Sequence, residues 1–251
     1  MADDSVYSKG LVYDDSLPSQ ADNDDWRGAR QTRYNERFAQ PIGQWRMQRA
    51  REGTLFYAHN PTNDASTTIA GHAAPVLADA DATMTKPLIH CRMTSTTVKA
   101  ELDFIIIEVV TAGATGDQAC WAMQLDTGAT RVTTAGTALT NVNPNMQSTA
   151  SPALVVQAGA IVTGAESASV RHFAHGTHRP SIEVAGDKYM FVFGRDPELP
   201  PTVAAASVRN FVTNLPSVIL GSTDQLLLAL HSQASQNAAG VYKIQVQWSE
   251  R

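Results

Sequence analysis

Only two of the 251 residues are cysteine, Cys91 and Cys120. That excludes a disulfide scaffold and a zinc finger and leaves room for one bridge at most. Charge is scarce too, at 17% of residues against roughly a quarter in ordinary globular chains, so the polar surface rests on Thr, Ser, Asn and Gln. No apolar run approaches the ~18 residues of a membrane span, and Met1–Gly10 lacks the basic-then-apolar layout of a signal peptide. The expectation is a soluble protein made in a cytoplasm, with no membrane partner. Gly-x-Ser-x-Gly is missing, as are the glycine-rich loops that cradle phosphate, so no hydrolase or nucleotide-binding signature stands out.

The net charge of -5 conceals a segregated pattern. Residues 1–25 carry seven aspartates against Lys9, a net of -6. Residues 26–52 carry seven of the fourteen arginines, no lysine, and only Glu36 and Glu52 in opposition, a net of +5. Arginine without lysine favours planar, bidentate contacts over a diffuse positive field. Interleaved with Arg27, Arg30, Arg33, Arg37, Arg46 and Arg49 are Trp26, Tyr34, Phe38 and Trp45, with no apolar run to give them a core of their own. Amphipathic aromatics beside arginines are enriched where one protein surface meets another. These ten residues are the candidate partner-binding set. A solvated terminus is the plainer alternative, and a nucleic-acid contact is disfavoured by the acidic stretch just upstream. Asn23, Asp24 and Asp25 can cap a helix running to about Ala39, which Pro41 would stop, and Ile42–Arg51 can add a turn or two. Both stretches need a docking surface to be stable.

From Gly53 onward the helical period gives way to strands. The candidates are Thr54–His59, Lys86–Met93, Thr96–Thr111, Ala119–Leu125, Ser167–His172, Ser181–Ala185, Lys188–Phe193, Ser217–Leu220, Asp224–His231 and Val241–Trp248. In the last, Tyr242, Ile244, Val246 and Trp248 share one face and Lys243, Gln245 and Gln247 the other. Phe104–Val110 and Leu226–Leu230 are nearly continuous apolar runs, suited to central strands between packed layers. Ser181–Ala185 and Lys188–Phe193 read as a hairpin about Gly186-Asp187. Long connections at Thr140–Pro152 and Arg195–Ala206 suit strands that cross between sheets. The fold expected is all-β: an antiparallel, jelly-roll-like β-sandwich over residues 53–251, behind an extended, partly helical N-terminal arm over residues 1–52.

Chemistry is thin. His172, His175 and His178 recur at three-residue spacing and would ligate a metal if their loop curled around it. On a strand, however, His172 and His175 would face opposite sides, and Gly176 and Pro180 point to an irregular polar loop. Glu101 and Asp103 would share a strand face, joined by Glu108 only if the strand kinked. Acids on a wet strand face are the ordinary reading. Asp79 and Asp81 lack the rest of a calcium loop, and Cys91 reads as an inert strand thiol. No catalytic, cofactor-binding or metal-binding residue is assigned, and no enzyme activity is expected.

Arg51-Glu-Gly-Thr-Leu-Phe-Tyr-Ala-His-Asn-Pro-Thr62, then Ile69-Ala-Gly-His72, Thr85-Lys-Pro-Leu88 and Leu102-Asp-Phe-Ile105, resemble structural proteins of tailed bacteriophages. There a similar stretch opens a β domain after an N-terminal extension. The resemblance covers roughly residues 50–110 and carries no defined site with it. It implies a virion protein, either a capsid decoration (cement) protein or a head–tail accessory, whose partners are capsid or other virion subunits. Such proteins are usually cyclic homo-oligomers, and a trimer suits local threefold positions of a shell. The alternative is a tail, neck or fibre component with an assembly or glycan-binding role.

Overall fold

A computed structural model describes residues 30–31, 37–38, 42–60, 68–73, 75–80, 84–113, 118–128, 130–194, 210–233 and 239–251. The chain divides into two compact units, residues 1–48 and 49–251. In the first, Arg30–Gln31 (β1) pairs antiparallel with Arg37–Phe38 (β2), which replaces the helix expected across these positions. Ile42–Glu52 forms a helix (α1) longer than the turn or two expected. The rest of the expected helix up to Ala39 lies outside the described residues.

The second unit is built almost wholly of strands. Leu55–His59 (β3), Ile69–Ala70 (β4), a four-residue helix at Leu77–Ala80 (α2), Ile89–Met93 (β5), Lys99–Thr111 (β6) and Ala119–Asp126 (β7) come first. Val132–Thr134 (β8), Thr137–Ala138 (β9), Thr140–Val142 (β10), Leu154–Ala158 (β11) and Val162–Thr163 (β12) follow as an excursion of short strands. Arg171–Arg179 (β13), Lys188–Phe193 (β14), Asn210–Leu215 (β15), Ile219–Gly221 (β16), Gln225–His231 (β17) and Val241–Glu250 (β18) complete the unit. One sheet runs β10-β3-β18-β6-β14-β15, with β16 added to β6 and β4 to β18, and the other runs β13-β7-β17-β5-β11-β9. Pairing is antiparallel except between β14 and β15, which run parallel.

The two sheets face each other across one apolar core. Ile105, Ile107, Phe191, Ile244, Val246 and Trp248 come from the larger sheet, and Ile89, Met123, Leu226 and Leu228 from the smaller. The period-two pattern of β18 places its apolar residues inward, as expected. The continuous run in β17 has a different cause. Leu226, Leu228 and Leu230 face the main core, while Leu227 and Ala229 join Met84, Ala122 and Ala80 of α2 in a second cluster. A strand covered on both faces needs no polar side.

Three expectations at strand level change. Ser181–Ala185 is not a strand, so the hairpin about Gly186 does not form; β14 instead lies between β6 and β15. The strand placed at Ser167–His172 lies at Arg171–Arg179. The first three residues of the connection read at Thr140–Pro152 form β10, and β11 and β15 occupy stretches left unassigned.

A polar cavity as candidate functional site

At one end of the sandwich β7 and β14 begin, β13 and β17 finish, and β18 starts. Between these termini lies a small cavity of about 10 Å³, roughly the space of one water and partly open to solvent, with Tyr189, His178, His231, Glu183, Tyr242 and Cys120 among its lining residues. The two tyrosines arrive by strand alternation. Tyr189 and Tyr242 are the first inward positions of β14 and β18, ahead of Phe191 and Ile244 in the core. A buried tyrosine keeps its ring in apolar surroundings and needs a partner for its hydroxyl.

His178 turns inward because β13 shifts register twice, between His172 and Ala174 and between Thr177 and Arg179. Its ring stacks on Tyr189 at 4.4 Å with planes 5° apart and also meets Trp121, Phe191 and Phe211. Burial lowers the His178 pKa to about 3 and that of His231 to about 4, Asp79 opposing the latter. Both imidazoles are neutral near pH 7.

Glu183 is 8% exposed and enters from the 180–187 connection. It accepts hydrogen bonds from Tyr242 Oη at 2.9 Å and from the Gly113 N–H at 3.3 Å. Burial raises its pKa to about 7 against those two bonds, with Asp187 adding to the rise. The same burial pushes the Tyr189 and Tyr242 phenols up. The connection itself is pinned: Arg179 donates to Asp187 Oδ2 at 2.8 Å, the Val184 N–H reaches the same oxygen at 2.9 Å, and Gly186 takes a left-handed φ of 91°. A Cβ on Gly240 would overlap the Tyr242 hydroxyl and lie 2.5 Å from Glu183 Oε1. Gly240→Ala is therefore expected to break the Tyr242–Glu183 contact and cost about 1–3 kcal/mol. Thermal unfolding checks this, and an unchanged midpoint would show that the contact yields without cost.

The cavity thus collects hydrogen-bonding groups held near neutrality rather than an activated nucleophile. Cys120 sits opposite both Thr177 and His231 in the ladders and meets Thr177 Oγ1 at 3.5 Å. Cys91 is fully buried, its thiol raised to about 12. Among the described residues no three His, Cys, Asp or Glu side chains are grouped to hold a metal ion.

The residues singled out from sequence fall elsewhere. Of the arm set, Trp26, Arg27, Arg33 and Tyr34 lie outside the described residues. Arg30, Arg37 and Phe38 belong to the β1–β2 pair, and Trp45, Arg46 and Arg49 to α1. Arg46 is half-buried, and Arg49 pairs with Glu52 at 3.5 Å. The three histidines stand on a strand instead of an irregular loop, and His172 and His175 are both exposed. They do not face opposite sides, because at the register shift Phe173 and Ala174 both pack against the core. Glu101, Asp103 and Glu108 lie on β6, whose register against β18 slips at Asp103. Asp103 is buried, whereas Glu108 pairs with Lys188 at 3.2 Å on the half-exposed outer face. Asp79 accepts from the Val76 N–H and from Lys86 Nζ, which ties down α2; Asp81 lies outside the described residues.

Sequence reasoning missed Glu183, Tyr189, His231 and Tyr242. The signal available for the last three was a polar tip on an otherwise apolar strand, at its end. No family model, curated protein or solved structure matches the chain.

Proposed function

We propose that this chain is a structural component of a bacteriophage virion, a capsid decoration (cement) protein whose β body is a jelly roll and whose N-terminal arm binds neighbouring subunits. The observation that carries this reading is the strand order. With β3, β5, β6, β7, β13, β14, β17 and β18 numbered one to eight, the larger sheet holds 1-8-3-6 and the smaller 2-7-4-5. That is the order two nested Greek keys produce, an architecture used by viral capsid domains, lectins and cupins. The excursion from β8 to β12 adds strands at one margin of each sheet, and β15 widens the other margin of the larger one. Fold analogy alone does not select among those uses. Two features favour the capsid use. Among the described residues, the middle of the space between the sheets is filled by the side chains of one apolar core, as a load-carrying shell component requires. The charge of residues 1–52, -6 followed by +5, suits an arm bridging oppositely charged surfaces of adjacent subunits.

In particle assembly with full-length chain and with a chain lacking residues 1–52, the truncated chain is expected to occupy the shell at least about tenfold less, an affinity loss of ~1.4 kcal/mol or more. Full-length incorporation should weaken at high salt, where exposed charge pairs are screened. Equal incorporation of both chains would sink the reading. So would a full-length chain that binds glycans and leaves shells bare.

A further inference from the structure

Three buried polar atoms around the end cavity have no hydrogen-bond partner among the described residues: Tyr189 Oη, His178 Nε2 and His231 Nδ1. All three residues line that one space. Tyr189 is only 1% exposed and His231 6%, so bulk water does not satisfy them. More than nine in ten buried polar groups in native proteins are paired, and an orphan carries the full desolvation penalty of that group. We propose that the cavity is an internal hydration site in which ordered water bridges Tyr189 Oη, His178 Nε2 and His231 Nδ1.

The lining decides among occupants. An anion would need a cation or converging N–H donors, and both imidazoles are neutral near pH 7. A metal ion would need ligands in excess of two histidines, yet Glu183 is engaged by Tyr242 and Gly113, and Cys120 meets Thr177 and Gln118. An apolar guest would leave all three polar atoms orphaned. Water both donates and accepts, so it serves a neutral imidazole in either tautomer and a phenol in either role. Ser232 and Gln118, also on the wall, offer further polar contact. Water in such sites typically makes about three hydrogen bonds, the number of orphaned atoms here.

Tyr189→Phe in the full-length chain turns the proposal into a question of sign. If water is bound, the change removes one of its anchors and the unfolding midpoint falls, by about 2–4 °C at this chain length. If the cavity is dry, the change deletes an unsatisfied hydroxyl, and the midpoint holds or rises. A high-resolution crystal structure of the parent chain gives the second measurement. Solvent density within hydrogen-bond reach of at least two of the three atoms is expected. A cavity without density would overturn the proposal, as would density with the anomalous signal of a metal. The crystallographic result decides if the two disagree. None of these outcomes depends on the virion reading.

Discussion

Replacing Arg131 with methionine is expected to destabilise the chain by about 3–5 kcal/mol, the range for removing one member of a buried ion pair. Arg131 is 1% exposed, and both its Nη atoms hydrogen-bond while Nε faces a carboxylate. Nε lies 3.2 Å from Asp126 Oδ2, and Nη2 lies 2.9 Å from Gln124 Oε1 and 3.6 Å from Glu166 Oε1. Nη1 donates to the Gly164 carbonyl. Asp126 in turn accepts from the backbone of Thr127 and Gly128 and from Ser167, so the pair ties the end of β7 to the chain entering β13. Without the guanidinium, the Asp126 carboxylate stays buried and loses its only ion-pair partner among the described residues. Arg131→Lys should recover little, since one ammonium cannot reproduce a planar fork aimed at four acceptors. Denaturant midpoints read at constant m-value measure both variants. A loss below about 1 kcal/mol for the methionine variant would mean that water replaces the fork.

Arg131 also marks where the chain was legible and where it was not. The strands with a clean period, β18 above all, could be read because alternation is a local consequence of one wet and one dry face. The double-sided burial of β17 was legible as a continuous apolar run, though not its cause, which is α2 and Met84 packing from far upstream. Register shifts were not legible. The slip at Asp103 depends on pairing with β18, and the two slips in β13 depend on pairing with β7. Those slips decide which histidine turns inward, so the three-residue spacing of His172, His175 and His178 carried no information about the site. Arg131 itself lies three residues past a glycine with no local signal for burial; two of its partners, Gly164 and Glu166, lie over thirty positions away. The cavity shares this property. Its walls come from five strand ends and one connection, spread from Gln118 to Tyr242, and its tyrosines look like ordinary core residues until the sheets close.

Glu183→Gln is expected to stabilise the protein at pH 8 and to leave it nearly unchanged at pH 4.5. The carboxyl has an ordinary pKa of 4.5 and is raised to about 7 in the folded chain, chiefly by burial. The folded state therefore holds the proton more tightly than the unfolded state does. The sign follows: this group's stabilising contribution is complete below pH 4.5 and is lost as pH rises through 7. The span between the two values amounts to roughly 3 kcal/mol. His178 and His231 act in the opposite direction. Their pKa values fall from 6.5 to about 3 and about 4, so their contribution is complete above pH 6.5 and is lost as pH falls through those lower values. Carboxyl and imidazoles together confine the closed cavity to a window between acid, which charges the histidines, and mild base, which charges Glu183. Glutamine cannot ionise, and its carbonyl oxygen can still accept from Tyr242 and Gly113, so it removes only the upper limit of that window. Urea unfolding of parent and variant from pH 4.5 to 8.5 should give curves that coincide at the acid end and separate steadily above pH 5. Parallel curves across the whole range would mean that the Glu183 carboxyl titrates alike in both states and that the cavity end is wet enough to ionise it freely.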